Sequence, residues 1–255
     1  MKLPISLLLA AALLVGPAHA DEHTLTLAVA ANLKDVMQDV VTDFKKSHAD
    51  ARIKVVLGSS GKFTQQIIQG APYDLFFSAD TEYPQHLVMQ QLATTGVRTY
   101  ARGRLVLWSA TRDARRLSLK NLADPAIRRI AIANPKLAPY GRRAQEALEH
   151  AGAWETVQGK LVFGENVAQT AQFADQGGAD VALIPLSLAL TVALQRRGNH
   201  ALIPDAECEP LNQGFVILKH AAGNPLAVAF ADHVLSPPAR AIFAAYGYLP
   251  PGNAP

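Results

Sequence analysis

The sequence predicts an α/β protein made of two doubly wound lobes. Short apolar, β-branched runs alternate with segments whose apolar residues recur at helical spacing, a pattern typical of mostly parallel sheets covered by helices. The pattern runs from 24 to 91, restarts near 104, and ends in one further strand and two helices. With 255 residues, 49% of them hydrophobic, the chain is long enough to form two cores.

The first 20 residues have the three parts of a secretory signal peptide. Met1-Lys2 is a basic start, an apolar stretch continues to Val15, and Ala18-His19-Ala20 is a small-residue cleavage signal. A membrane anchor is the alternative, but this apolar run is short for a helix that spans a bilayer. We therefore expect export and cleavage after Ala20.

In the first half of the chain, three strands are expected to alternate with three helices. The predicted strands cover 24–30, 52–57 and 74–80, and the predicted helices cover 34–48, 62–69 and 85–91. Gly70 and Pro72 end the second of these helices, because glycine caps a helix and proline blocks its continuation.

The second α/β unit repeats this alternation. Its predicted strands cover 105–108, 129–133, 160–163 and 180–185, and its predicted helices cover 122–129, 142–151, 168–176 and 187–195. The segment 134–141 is rich in turn formers and is predicted to be a loop. A last strand, 214–218, precedes predicted helices at 225–235 and 238–246.

The returning strand and the last helices are expected to complete the first lobe. Lobe I then comprises 21–101 and 213–255, and lobe II comprises 102–212. The chain crosses between the lobes twice, and two crossovers form a hinge with a ligand site between the lobes. In doubly wound sheets, ligands bind outside the carboxyl ends of the strands.

A small polar loop, Gly58-Ser59-Ser60-Gly61, joins the second predicted strand to a helix. The start of that helix offers free N–H groups and the positive end of its dipole, which suit an oxyanion. The alternative is a serine that merely caps an ordinary helix. The spacing of a phosphate-binding P-loop and that of a nucleophile elbow are both absent, so the loop indicates binding without bond-making.

Charge and cysteine content exclude several classes of protein. The chain has 24 Lys and Arg against 21 Asp and Glu, and its basic pairs are scattered, so it has no nucleic-acid footprint. Cys208 is the only cysteine, which excludes an intrachain disulfide. The paired Cys or His spacings of common metal sites are also absent.

Several segments together resemble the periplasmic molybdate-binding proteins that serve ABC importers. The resemblance runs from about 25 to 247, and its most specific piece is the run from Gly70 to Asp80. The matching segments are Ala30-Ala31-Asn32-Leu33, Gly58-Ser59-Ser60-Gly61, Gly70-Ala71-Pro72-Tyr73-Asp74-Leu75-Phe76-Phe77-Ser78-Ala79-Asp80, Asn134-Pro135, Pro139-Tyr140-Gly141, Gly152-Ala153-Trp154 and Glu165-Asn166-Val167.

The resemblance implies a type II two-lobed binding protein and a set of neutral donors for a tetrahedral oxyanion. Lobe I would supply Asn32, with Ala31 beside it, and Ser60. Lobe II would supply Tyr140 and the backbone N–H of Val167. These contacts are hydrogen bonds to the oxyanion, without direct bonds to molybdenum, and no cofactor is expected.

One detail of this ligand set departs from some relatives, and the role of Ser59 stays open. Some relatives carry a tyrosine in the segment that corresponds to 182–187, whereas this chain has Pro185 and no tyrosine there. Tyr140 is therefore expected to supply the hydroxyl. Ser59 is a secondary candidate, with helix capping as its alternative role.

The implied function is the binding of molybdate or tungstate by a monomeric periplasmic protein that delivers it to the membrane permease of an ABC importer. The protein would not be an enzyme and would not bind nucleic acid. A binding protein for another oxyanion, such as sulfate, is one alternative. An exported hydrolase that uses Ser60 is another, but the sequence lacks a convincing His–Asp partner pattern for it.

Overall fold

The computed structural model describes residues 23–251, which form two five-stranded sheets flanked by helices. The predicted signal peptide, 1–20, lies outside the described residues. The strands are β1 (Thr24–Ala30), β2 (Arg52–Gly58), β3 (Leu75–Phe77), β4 (Arg98–Gly103), β5 (Leu105–Ser109), β6 (Ile130–Ala133), β7 (Leu161–Gly164), β8 (Val181–Pro185), β9 (Asn199–Leu202) and β10 (Leu211–Ile217).

Helices cover both faces of each sheet. The α-helices are α1 (Lys34–Phe44), α2 (Ser60–Ile68), α3 (Glu82–Met89), α4 (Pro139–His150), α5 (Trp154–Val157), α6 (Val167–Asp175), α7 (Leu186–Ala189), α8 (Val192–Arg197), α9 (Pro225–Val234) and α10 (Pro237–Ala245). Within the described range, none of these helices has the length and apolar character that a bilayer-spanning helix needs.

Each sheet is mixed. The first has the order β2-β1-β3-β10-β4, and β10 runs antiparallel to both of its neighbours. The second has the order β7-β6-β8-β5-β9, in which β5 is antiparallel to β8 and β9. The chain leaves the first sheet between β4 and β5 and returns between β9 and β10, so two crossovers join the lobes. The expected lobe limits, 101 and 213, fall inside β4 and β10.

The cores explain why these segments fold as they do. In the first lobe, α1, α9 and α10 pack against one face of the sheet around Phe44, Phe77 and Phe230, and α2 and α3 cover the other face. In the second lobe, the fully buried Trp108 belongs to a core of branched and small residues from β5, β6 and β8. Apolar burial on both faces holds each sheet in one register, which fixes the loops at its carboxyl edge.

The end of the predicted loop 134–141 is wrong. The loop stops at Ala138, because α4 begins at Pro139 and not at Arg142. Proline is favoured at the first helical position, since its fixed φ suits a helix and its missing N–H is not needed there. Tyr140 therefore lies in the first turn of a helix.

The predicted helix 122–129 is also wrong. Only a short 3-10 turn, Lys120–Ala123, forms there, and Asp124 is extended with φ −50° and ψ 128°. Asp124 precedes Pro125, which disfavours the helical conformation. Lys160 then donates to the carbonyl oxygens of Leu122, Ala123 and Asp124 and satisfies the end of the turn.

The predicted helix 187–195 is split into α7 and α8. Thr191 takes an extended conformation, and its side chain accepts a hydrogen bond from the Leu194 N–H as the N-cap of α8. Two edge strands, β4 and β9, were not predicted.

Candidate functional site

A small cavity lies between the lobes, at the carboxyl ends of strands from both sheets. It brings together all six residues that the sequence singled out: Ala31, Asn32, Ser59, Ser60, Tyr140 and Val167. The first sheet contributes the segments that follow β1, β2 and β3, and the second contributes those that follow β6 and β7. The site thus has the position expected for doubly wound sheets.

Helix starts surround this cavity. The 3-10 helix Ala31–Leu33 and α2 begin on one side, and α4 and α6 begin on the other. The first N–H groups of a helix have no partner inside the helix, and its dipole places partial positive charge there. The arrangement is therefore suited to a small anion without any cationic side chain.

The two serines of the first lobe differ in their contacts. The Ser60 Oγ accepts a hydrogen bond from the Ala79 N–H at 3.1 Å, so its own proton remains available to another acceptor. The Ser59 Oγ is buried and has no hydrogen-bond partner. Although Ser59 is the N-cap of α2, its side chain makes no capping bond, so the capping role is contradicted.

Asn32 is 2% exposed, and both hydrogens of its side-chain amide are used inside the protein. The Asn32 Nδ2 donates to Gln213 Oε1 at 2.9 Å and to Tyr248 Oη at 2.8 Å. The Asn32 Oδ1 has no partner, but an oxygen acceptor cannot bond an oxyanion. In this arrangement the donor that Asn32 can offer the cavity is its backbone N–H.

Tyr140 is fully buried, and its hydroxyl oxygen accepts a hydrogen bond from Gln213 Nε2 at 3.0 Å. Burial raises the pKa of Tyr140 well above its ordinary value, as it does for Tyr100 and Tyr248. The direction of this pKa shift matters, since an ionised phenol would repel an anion and could no longer donate a hydrogen bond. A raised pKa keeps Tyr140 a neutral donor throughout the physiological range.

Val167 is the first residue of α6 and lines the cavity. The N-cap residue, Asn166, accepts hydrogen bonds from the N–H groups of Ala168 and Gln169. The N–H of Val167 is the remaining donor of that first turn. The Asn166 side chain thus satisfies the neighbouring donors and holds the helix start against the cavity.

Contacts beside the cavity join the two lobes. The Gly61 N–H donates to the Leu137 carbonyl oxygen at 2.8 Å, and Lys62 forms an ion pair with Glu165 at 2.7 Å. Arg142 pairs with Asp80 at 2.6 Å and with Glu82 at 2.7 Å.

The carboxylates near the site serve the structure. Burial raises the pKa of Asp80, whose Oδ1 accepts hydrogen bonds from Ser78 Oγ and the Tyr83 N–H. The Asp74 Oδ2 accepts from the Thr26 N–H at 2.6 Å and ties β3 to β1. Neither carboxylate lines the cavity.

Sequence reasoning missed two residues beside the site, Gln213 and Tyr248. Both are buried and both bond to Asn32. Gln213 is a polar residue in an otherwise mostly apolar strand, which is the only local signal that it carries. Tyr248 follows the last helix, and no sequence pattern around it indicated a place beside the site.

A family model for bacterial extracellular solute-binding proteins matches residues 25–249 of the chain. The chain belongs to this family. It is 37% identical over 247 residues to the molybdate-binding protein ModA of Azotobacter vinelandii, and 36% identical over 245 residues to ModA of Rhodobacter capsulatus. Each match covers 94% of this chain and 94% of the relative.

A solved structure confirms the fold class. The periplasmic molybdate-binding protein of Azotobacter vinelandii superimposes with a TM-score of 0.84 at 35% identity, over 89% of this chain and 100% of that one. The chain is therefore a type II two-lobed binding protein, as its sequence resemblance implied. The family indicates a binding and transport role.

Proposed function

We propose that this protein binds molybdate or tungstate in the cavity between its lobes. The observation that carries the proposal is the chemistry of the lining: its twelve residues are all uncharged, and donors converge on it from both lobes. An acceptor-only dianion suits such a lining. The names of two curated relatives support molybdate.

The proposed ligands are Asn32, with Ala31 beside it, Ser60, Tyr140 and the N–H of Val167. Ser59 joins them as a sixth contact, because its buried hydroxyl has no other partner. Burying a dianion is costly unless its oxygens are bonded. Each charge-assisted hydrogen bond returns about 1.5–3 kcal/mol, so several neutral donors can hold the ion without a bond to molybdenum.

We further propose that the protein acts as an exported monomer that delivers its ligand to the permease of an ABC importer. The family description supports an extracellular role. The signal peptide 1–20, cleavage after Ala20 and the lobe limits at 101 and 213 belong to this proposal. So does a role in binding and transport without catalysis, which the solute-binding family supports.

Another oxyanion, above all sulfate, is the competing ligand, since its oxygens have the same tetrahedral arrangement. Titration calorimetry with molybdate, tungstate, sulfate and phosphate separates them. We expect micromolar or tighter binding of molybdate and tungstate and weak heat from the other two. Sulfate binding as tight as molybdate binding would contradict the assignment. Hydrolysis of a chromogenic ester that is lost in Ser60→Ala would instead favour a hydrolase.

A further inference from the structure

Gln213 is a fully buried polar residue for which the proposed ligand set gives no role. It lies on β10, at the point where the register against β4 shifts between Gln213 and Gly214. Such bulges redirect side chains and are common beside functional sites. The Gln213 side chain is directed between a tyrosine of the first lobe and a tyrosine of the second.

The hydrogen bond from Asn32 sets the direction of the Gln213 amide. Its Oε1 accepts from Asn32 Nδ2 at 2.9 Å and lies 2.9 Å from Tyr100 Oη, whose single proton is also directed at the Ser78 carbonyl oxygen at 2.9 Å. Its Nε2 therefore faces the second lobe and donates to Tyr140 Oη at 3.0 Å. Because the Tyr140 oxygen accepts this bond, its own proton is left for an acceptor in the cavity.

Because Gly103, at the end of β4, has no side chain, Gln213 and Tyr140 can meet beside it. A Cβ atom at this position would collide with both the Tyr140 Oη and the Gln213 Nε2. Gly103 also ends the last strand before the first crossover between the lobes. The contact between Gln213 and Tyr140 therefore lies at the hinge, where the two sheets approach each other.

We propose that Gln213 is a positioning residue of the oxyanion site. It holds the Tyr140 hydroxyl as a donor toward the ligand, and it ties this donor of the second lobe to β10 of the first sheet. The inference rests on the proposed function, since it assigns Tyr140 as a ligand. Gln213 itself does not line the cavity and acts through Tyr140.

A double-mutant cycle with molybdate tests this role. Gln213→Met is measured by titration calorimetry in the wild-type background and in Tyr140→Phe, where the phenol oxygen is absent. A single neutral hydrogen bond is worth about 1 kcal/mol, so we expect roughly a fivefold loss of affinity in the wild-type background. In Tyr140→Phe the loss should be less than about twofold, because coupled residues are not additive.

Ser187→Ala is the matched control. The Ser187 Oγ donates to the Asn32 carbonyl oxygen at 2.9 Å, so it is also a buried hydrogen bond between the lobes. Its bonds go to Asn32 and Tyr248, and it has no bond to Tyr140 in the described structure. Its effect on molybdate affinity, whatever its size, should be the same in both backgrounds.

Gln213→Glu is the second variant, in case Gln213→Met does not fold. The glutamate can still accept from Asn32 and Tyr100, but it replaces the donor to Tyr140 with an acceptor. Its loss of affinity should be at least about threefold larger in the wild-type background than in Tyr140→Phe, because only there can it withdraw the phenol proton from the ligand.

Three results would overturn the inference or its basis. Equal losses in both backgrounds for the Gln213 variants would show that Gln213 does not act through Tyr140. Unchanged affinity in Tyr140→Phe would show that the phenol proton goes to Gln213 and not to the ligand. If the wild-type protein binds no molybdate at all, the proposed function fails and this inference fails with it.

Discussion

At the scale of single residues, the site depends on which hydroxyls and amides still have a hydrogen to donate. Asn32 uses both amide hydrogens on Gln213 and Tyr248, whereas the Ser59 hydroxyl makes no hydrogen bond. Residues of similar polarity therefore have different roles. Their roles follow from their neighbours, since a donor that already has a protein partner is not free for a ligand.

Tyr140→Phe should weaken molybdate binding about five- to a hundredfold. The change keeps the ring and removes one donor, and an oxygen left unpaired in a closed cavity costs roughly 1–3 kcal/mol. The ligand-free protein should lose only about 1 kcal/mol of unfolding free energy, because Gln213 Nε2 loses its acceptor. Calorimetry and thermal melting measure the two quantities.

The control for Tyr140 is Pro185→Ala. Pro185 ends β8, and it is not among the described residues that line the cavity. The affinity of the Pro185→Ala variant for molybdate should stay near that of the wild type. If Tyr140→Phe also binds like the wild type, Tyr140 is a packing residue.

Ser59→Ala should weaken molybdate binding without destabilising the ligand-free protein. The Ser59 hydroxyl is buried without a partner, so its removal breaks no bond of the empty protein and relieves an uncompensated burial. The loss of affinity should be about 1 kcal/mol or more. Titration calorimetry and thermal melting of the same variant measure the two opposite effects.

Ser109→Ala is the control for Ser59→Ala and should give the opposite result. The Ser109 Oγ donates to the Asp180 carbonyl oxygen and accepts from two backbone N–H groups, away from the cavity. Its removal should lower the melting temperature and leave the affinity unchanged. A Ser59→Ala variant that behaves like Ser109→Ala would show that Ser59 has a structural role.

At the scale of the elements, the start of α2 approaches the second lobe closely enough to require glycine. A Cβ atom on Gly61 would lie 2.6 Å from Tyr83 Oη and 2.8 Å from the Leu137 carbonyl oxygen. The Gly61 N–H donates to that same carbonyl. The helix start therefore serves two purposes, since it lines the cavity and makes a contact between the lobes.

Gly61→Ala should weaken molybdate binding about five- to a hundredfold, because the added methyl group holds the lobes apart and costs roughly 1–3 kcal/mol. Each lobe should still fold, so circular dichroism should be unchanged. Gly96→Ala is the matched control, as a Cβ there would meet nothing within 4 Å. Equal affinity of the two variants would contradict a need for this close approach.

At the scale of the whole molecule, contacts across the cavity join lobes that the chain connects by only two crossovers. Arg142 bridges to Asp80 and Glu82, and Lys62 bridges to Glu165. The Lys62–Glu165 pair is half exposed on both sides, so it is worth little by itself. A ligand bonded to both lobes supplies the additional free energy that favours the closed arrangement.

Molybdate should therefore reduce the radius of gyration of the protein in small-angle X-ray scattering. Gly61→Ala, measured at saturating molybdate, should show less compaction, which separates closure from simple occupancy. An unchanged radius together with tight binding would indicate a cleft that is already closed, or a site within one lobe.

Local pattern was sufficient to predict most of the secondary structure and the general position of the site. The alternation of strands and helices is encoded in nearby residues, so β1 was predicted at its observed bounds, Thr24–Ala30. Polar loops that follow such strands must lie at the carboxyl edge of a sheet. For this reason Asn32 and Ser60 could be placed at that edge from the pattern, whereas Tyr140 and Val167 were selected only through the resemblance to molybdate-binding proteins.

Tertiary structure alone decided how these residues are connected. Gln213 lies 181 residues from Asn32, 113 from Tyr100 and 73 from Tyr140, yet it bonds to all three. No local periodicity can encode such contacts, because they arise only when β10 returns to the first sheet and the second lobe closes against it. The edge strands β4 and β9 and the unbonded hydroxyl of Ser59 could not be predicted for the same reason. Strand pairing and side-chain hydrogen bonding both depend on partners that are distant in the sequence.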